Sequence, residues 1–116
     1  MTYGVTNKHV VKPWGFEVIW ARTDRYAGKM ISVDPGKRIS LQYHREKDET
    51  LMVVEGSAVV EHGDTMVVLL TGESIHIEAG VVHRVSAGKI GCTLVEVSTP
   101  ELDDVVRLED DYGRAG

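Results

Sequence analysis

The chain has 116 residues, enough for one domain, and 13 basic against 18 acidic side chains give it a net charge of −5. With no basic cluster, the charge disfavours a nucleic-acid backbone as a partner. No apolar run approaches the ~20 residues of a membrane span, and no signal-peptide pattern opens the chain. Cys92 is the only cysteine and has no intramolecular disulfide partner, so a reducing cytosol is the expected home.

Valine, isoleucine and threonine number 18, 6 and 8, against only 7 leucines. Branched Cβ atoms restrict χ1 in helices and pack well on a pleated surface, so the composition favours strands. Residues Met1–His9 are polar and expected to be loose. Strands are then expected at Trp14–Trp20, Tyr26–Val33 and Ile39–His44, the second ended by Asp34-Pro35-Gly36. The charged stretch Arg45-Glu46-Lys47-Asp48 reads as a loop. Leu51–Glu55 and Ala58–Glu61 flank Gly56-Ser57, which predicts a hairpin turn. Further strands are expected at Thr65–Leu70, Ser74–Ile77, Val82–Val85, Thr93–Val97 and Val105–Leu108, separated by glycine-containing turns, before a polar tail at Glu109–Gly116. Nine or ten short strands without a helical period predict an all-β sandwich or barrel.

Chemistry concentrates in two segments. Gln42 and His44 are at i and i+2 on one strand, so both side chains leave the same face. Glu49 opens the next strand across a short loop, and His83 begins another. Two imidazoles, a carboxylate and an amide oxygen form a ligand set suited to Zn²⁺, with Mn²⁺, Fe²⁺, Co²⁺ or Ni²⁺ also compatible.

These segments resemble the paired motifs of the cupin superfamily, G-x5-H-x-H-x3–4-E-x6-G and G-x5-P-x-G-x2-H-x3-N. The spacing matches across Gly36, Gln42, His44, Glu49 and Gly56, and across Gly72, Glu78, Gly80 and His83. Gln42 replaces the first histidine, Glu78 the proline and Ala87 the final asparagine. The first departure is informative, because mannose-6-phosphate isomerases carry a Leu-Gln-x-His segment and bind metal through Gln, His, Glu and His. Ser40-Leu41-Gln42-Tyr43-His44 is similar to that segment in the bifunctional, type II enzymes, whose C-terminal cupin half carries the isomerase. Lys12-Pro13-Trp14-Gly15, Val53-Val54-Glu55-Gly56, His83-Arg84 and the run Asp104–Arg114 extend the likeness over residues 12–114. Arg45-Glu46-Lys47-Asp48 stands where those enzymes carry a histidine-rich stretch, and their nucleotidyltransferase half has no counterpart in these 116 residues. The resemblance implies a single-domain cupin, a double-stranded β-helix of the jelly-roll type. Its core is expected over about residues 12–108. It also implies a divalent ion held by Gln42, His44, Glu49 and His83.

Arg38 shares parity with Gln42 and His44, so on a continuous strand it would point into the same cavity and meet an anionic substrate. Lys29 and His76 are the candidates for proton transfer, beside a metal-bound hydroxide. Arg84 faces away from His83 and is read as a structural salt bridge. His9 and His62 are read as exposed, Trp14, Trp20 and Tyr43 as packing residues, and Cys92 as an inert thiol. The expected activity is metal-dependent aldose–ketose isomerisation of a sugar or sugar phosphate. The competing readings are another cupin reaction (oxygenation, epimerisation or a lyase step) and a non-catalytic, metal-containing sugar-binding cupin. A homodimer formed through terminal strands is the expected assembly.

Overall fold

The computed structural model describes residues 7–115. Most of the expected loose start, residues 1–6, lies outside the described residues. The described residues form nine strands: β1 (Lys8–Lys12), β2 (Gly15–Arg22), β3 (Ala27–Val33), β4 (Leu41–Tyr43), β5 (Glu49–His62), β6 (Thr65–Leu69), β7 (Ser74–Ile77), β8 (His83–Ser98) and β9 (Val106–Glu109). Every pairing is antiparallel.

Two expected turns are corrected. Gly56-Ser57 does not reverse the chain, and Ala87-Gly88 does not end a strand; each lies inside one long strand, β5 or β8. The two strands pair from Glu49↔Ser98 to His62↔His83, with register shifts between Val53 and Glu55 and between Gly56 and Ala58. Gly56 and Gly91 both adopt positive φ, 78° and 80°, and face each other at this irregularity. A Cβ on Gly56 would stand 2.3 Å from the Gly91 carbonyl oxygen. The glycines therefore bend a continuous ladder by way of bulges, where the sequence pattern alone reads a turn.

That bend lets one strand pair serve two sheets. The first sheet runs β1-β2-β3, the C-terminal half of β8, the N-terminal half of β5, then β7. The second runs β9-β4, the N-terminal half of β8, the C-terminal half of β5, then β6. Together they curl into an all-β half-barrel around a shared core. Val33, Leu51, Val53, Ile77 and Leu94 come from the first sheet, and Ala58, Val60, Leu69 and Val85 from the second. β1 extends the first sheet by pairing with β2, although its polar residues read as a loose start.

The inward-facing side chains change character along the barrel. On β8 they run Cys92, Leu94, Glu96; on β5, Val53, Leu51, Glu49; on β3, Val33, Ile31, Lys29. One end is packed with hydrocarbon and the other carries ionisable groups around a cavity of about 250 Å³. The apolar end stabilises the fold, which leaves the polar end free to serve chemistry.

Candidate metal centre

His44 follows directly on β4, Glu49 begins β5 and His83 begins β8. Their side chains are 5%, 3% and 1% exposed. Glu49 Oε1 is 2.9 Å from His44 Nε2 and 3.3 Å from His83 Nε2. Two ligands each ~2.0–2.1 Å from one tetrahedral ion stand roughly 3.3 Å apart, so the spacing suits a shared cation.

The outer hydrogen bonds explain why those atoms converge. His44 Nδ1 lies 2.6 Å from the Asp104 carbonyl oxygen, and His83 Nδ1 lies 2.9 Å from that of Val81. A carbonyl only accepts, so each Nδ1 carries the proton and donates it. In the neutral rings this turns both Nε2 lone pairs toward the Glu49 carboxylate. Three acceptors facing one buried point repel unless a cation or protons lie between them. The residues present therefore fit a divalent ion, and the three form a candidate metal site.

Gln42 lines the same cavity. It pairs with His83 across β4 and β8, which sets the two on neighbouring strands in one register row. Ser40 Oγ donates to Gln42 Oε1 at 3.2 Å and so orients the amide.

Sequence reasoning missed two members of the site. Lys47 sits in the stretch read as a charged loop, yet its side chain is only 3% exposed. Its Nζ lies 3.0 Å from Glu96 Oε2 and 3.4 Å from Glu49 Oε2. Burial pushes Glu96 up to about 8, reinforced by the neighbouring Glu49 charge and a shared hydrogen bond with it, against the pull of Lys47 and Lys29. Burial opposes ionisation of Glu49 too. Hydrogen bonds from Glu96, and from His44 and His83 when their rings carry the second proton, outweigh it together with the Lys47 charge and hold Glu49 well below the usual carboxylate range. Of the two, Glu96 therefore favours the protonated form and Glu49 the charged one. The only sequence signal was the inward parity of Glu96 with Leu94 on a strand.

Asp104 clamps the loop between the ligands. Its carboxylate accepts from the backbone N–H groups of Arg45, Glu46 and Lys47 at 3.0, 2.7 and 3.0 Å. Bonds from Glu46, Lys47 and Arg45 lower its pKa to about 2. One residue therefore fixes His44 through its carbonyl and the loop through its side chain.

The three catalytic candidates separate. Lys29 lines the cavity and bonds Glu17 Oε2 at 3.3 Å. The expected inward direction of Arg38 is corrected: its Nε and Nη2 donate to Asp111 at 2.8 and 3.0 Å, and its side chain is 44% exposed. The parity argument assumed a continuous strand, but β4 begins only at Leu41. Arg38 bridges Ser86 while Gln42 pairs with His83, so four steps on one chain face three on the other. One inserted residue inverts the face. His76 is half-exposed on the outer surface, bonded to Asp48, and does not line the cavity.

Of the residues read as packing, Tyr43 is half-buried and Trp20 remains 42% exposed. Trp14 is buried in the core, while Trp20 lies against Gly28, whose added Cβ would meet the indole at 2.5 Å. Arg84 donates to the carbonyls of Ile39 and Glu109 and pairs with the Glu109 carboxylate at 3.6 Å. Burial pushes the Cys92 thiol up to about 11, so it is unreactive. His9 is exposed, while His62 is only half-buried.

No helix among the described residues is long and apolar enough to cross a membrane. Residues 3–110 match the family model described as mannose-6-phosphate isomerase C-terminal. The xanthan biosynthesis protein XanB of Xanthomonas campestris pv. campestris is 38% identical over 112 residues, which cover 93% of this chain and 24% of that protein. The mannose-1-phosphate guanylyltransferase ManC of Salmonella typhimurium is 40% identical over 112 residues, 93% of this chain and 23% of its own. The chain thus spans about a quarter of the length of these relatives. Among solved structures, an RmlC-like cupin from Shewanella frigidimarina superposes with a TM-score of 0.77 at 20% identity, covering 89% of this chain and 92% of that one. Oxalate decarboxylase from Bacillus subtilis gives 0.80 at 16% identity, over 89% and 30% of the respective chains. At such identities the structural likeness concerns the fold. The sequence relationship goes further: this chain is a cupin that belongs to the mannose-6-phosphate isomerase C-terminal family.

Proposed function

We propose that the protein is a metal-dependent aldose–ketose isomerase acting on a sugar phosphate. The observation that carries this reading is the convergence of His44 Nε2, Glu49 Oε1 and His83 Nε2 at the wall of a cavity of mixed polar and apolar lining. Family membership supports the choice of reaction. Gln42 is the fourth ligand in this reading, and Zn²⁺ is the ion that the donor set suits first. When bound, such an ion supplies Lewis-acid stabilisation of negative charge on adjacent substrate oxygens.

The chain itself handles orientation and the proton. Asp104 and Val81 hold the two imidazoles in one tautomer, so the ligand atoms need no rearrangement. Lys47 occupies the second Glu49 oxygen and keeps that carboxylate from turning. Glu17, 11% exposed and flanked by Lys29 and Lys12 at 3.3 and 3.7 Å, joins Lys29 as the proton-transfer pair lining the cavity. In this reading the Glu17 carboxylate accepts a proton from carbon and returns it to the neighbouring carbon. Arg38 and His76 have no part in this version of the mechanism.

The test is turnover of a panel of aldoses and their phosphates by metal-supplied protein, with and without a chelator. Interconversion that the chelator abolishes and added Zn²⁺ restores is the expected result. Tight sugar binding without turnover would move the protein to the non-catalytic reading.

A further inference from the structure

An antiparallel sheet with one face on a core ordinarily turns polar side chains outward. The first sheet does not. Alternation puts Ile19, Lys29, Ile31, Leu51, Leu94 and Glu96 toward the cavity, so Val18, Met30, Val95 and Met52 point away from it. Val18 on β2 pairs with Met30 on β3, Met30 with Val95 on β8, and Val95 with Met52 on β5. These four make one apolar row across four neighbouring strands. Val97 and Trp20 widen it on one side, 52% and 42% exposed, with the Trp20 indole laid over Gly28. On the other side stand Val54 and Phe16, and Val11 of β1 pairs with Phe16.

Single exposed apolar residues need no explanation, but a contiguous patch marks a surface that another layer covers. Met52, Val54, Val97 and Val11 all stay exposed among the described residues. Across β1, β2, β3 and the C-terminal half of β8, no outward position among the described residues carries Asp, Glu, Lys or Arg. The first carboxylate met is Glu55, beyond the bulge in β5. A face without charge selects against a charged partner, whose ions would be desolvated and left unpaired. A second copy brings the same neutral face, so two chains of net charge −5 meet here without juxtaposed like charges. The size agrees. Six strands at ~4.8 Å by about six residues at ~3.4 Å give roughly 600 Å² in projection, which side-chain relief raises toward the ~800 Å² per partner of a specific interface.

We propose that this face is the interface of a homodimer, in which two copies pack their first sheets against each other about a two-fold axis. Sheets packed in this way stand ~10 Å apart, with their side chains interdigitated and their strands inclined by about 30°. The two-fold makes the contact isologous, so the row from Val18 to Met52 lies against the same row of the second copy. Met30 and Met52 supply flexible thioethers that fill the gaps between two twisted surfaces. Trp20 supplies a large anchor beside the row. The homodimer expected from the chain is thereby assigned to a sheet face and not to the edges of terminal strands. The cavity lies on the other side of the same sheet, so the inference stands apart from the proposed function.

The test is sedimentation velocity on the full chain over about 1–100 µM, a range in which interfaces of this size associate. Wild type should sediment as a dimer. Met52→Glu sets one carboxylate from each copy in the buried contact without a partner and should weaken association ~100-fold or more. Val97→Glu, in the adjoining row, should do the same. Val68→Glu places the same charge on the outer face of the second sheet, where Val68 of β6 is 61% exposed, and should leave the dimer intact. All three positions are exposed in the single chain, so each variant should keep the circular dichroism of wild type. A wild type that stays monomeric at the highest concentration overturns the proposal and leaves the face to a different chain. A dimer that survives both Met52→Glu and Val97→Glu, or one that Val68→Glu alone dissolves, overturns it as well.

Discussion

Among the described residues, two histidine–carboxylate clusters lie on opposite sides of one sheet. The inner one, His44, Glu49 and His83, is at most 5% exposed at each side chain. The outer one, His76 with Asp48 and Glu78, is about half-exposed at every side chain. Asp48 and Glu49 are adjacent in sequence, and His76 pairs with Thr50 directly across from β5. The same residue types thus face opposite sides of one sheet. Inside, low dielectric and carbonyl-fixed tautomers turn three lone pairs toward one point, a convergence that a cation or protons relieve. Outside, water screens the charges and the pairs are worth little. Ligand chemistry here comes from burial and convergence, and the residue types alone do not supply it.

The sharpest way to break that contrast is to remove an inner ligand. His44→Ala or His83→Ala should abolish stoichiometric metal binding, measured by elemental analysis. Either should also lower any chelator-sensitive turnover ~100-fold or more, beyond the 10–100-fold typical of outer-shell changes. Undiminished metal content in both variants would mean that the inner trio is not a site.

Next comes the charge that closes the inner cluster. Lys47→Met leaves Glu49 buried beside Glu96 without its ammonium, and breaking a buried pair in this way costs about 3–5 kcal/mol. Urea unfolding should show the loss, and Zn²⁺ should restore part of it because a cation beside Glu49 replaces the missing charge. A variant as stable as wild type without metal would show that the inner charges are not coupled as the geometry implies.

A smaller effect is expected at the clamp. Asp104→Ala frees three backbone N–H groups of residues 45–47 and should cost on the order of 1 kcal/mol near neutral pH. The folded pKa of about 2 lies below the ordinary 3.8. The carboxylate's stabilisation is therefore complete above the ordinary value and is lost as pH falls through about 2. The stability gap between wild type and variant should accordingly shrink between pH 4 and pH 2, roughly the window between those two values. A gap that stays constant would assign the effect to packing.

Least of all should change in the outer cluster. His76→Gln removes exposed pairs with Asp48 and Glu78, so stability should move by no more than ~0.5–1 kcal/mol and metal content should not move. A loss of metal on this substitution would erase the distinction between the two clusters.

Much of this was open to reading in the linear chain. Branched residues and regular turn signals dictate an all-β fold, because period-2 apolar alternation buries one face and no other element satisfies it. The spacing of Gln42, His44, Glu49 and His83 already marks the candidates, and the fold brings three of them, His44, Glu49 and His83, to one point. What the chain could not reveal depends on contacts between distant segments. Gly56 reads as a turn, and only the facing Gly91 carbonyl shows it to be a bend in a continuous ladder. Arg38 was misjudged because one inserted residue opposite β8 inverts its face, and register is a property of two strands together. Lys47 looks like a solvated loop lysine until Glu96, forty-nine residues later, is folded against it. Arg107 is ordinary in the sequence, and only the fold buries its Nε without a hydrogen-bond partner among the described residues. Local covalent geometry settles which side of a strand a residue takes; the burial, pairing and proton occupancy that make it functional are set by neighbours that only the closed barrel brings together.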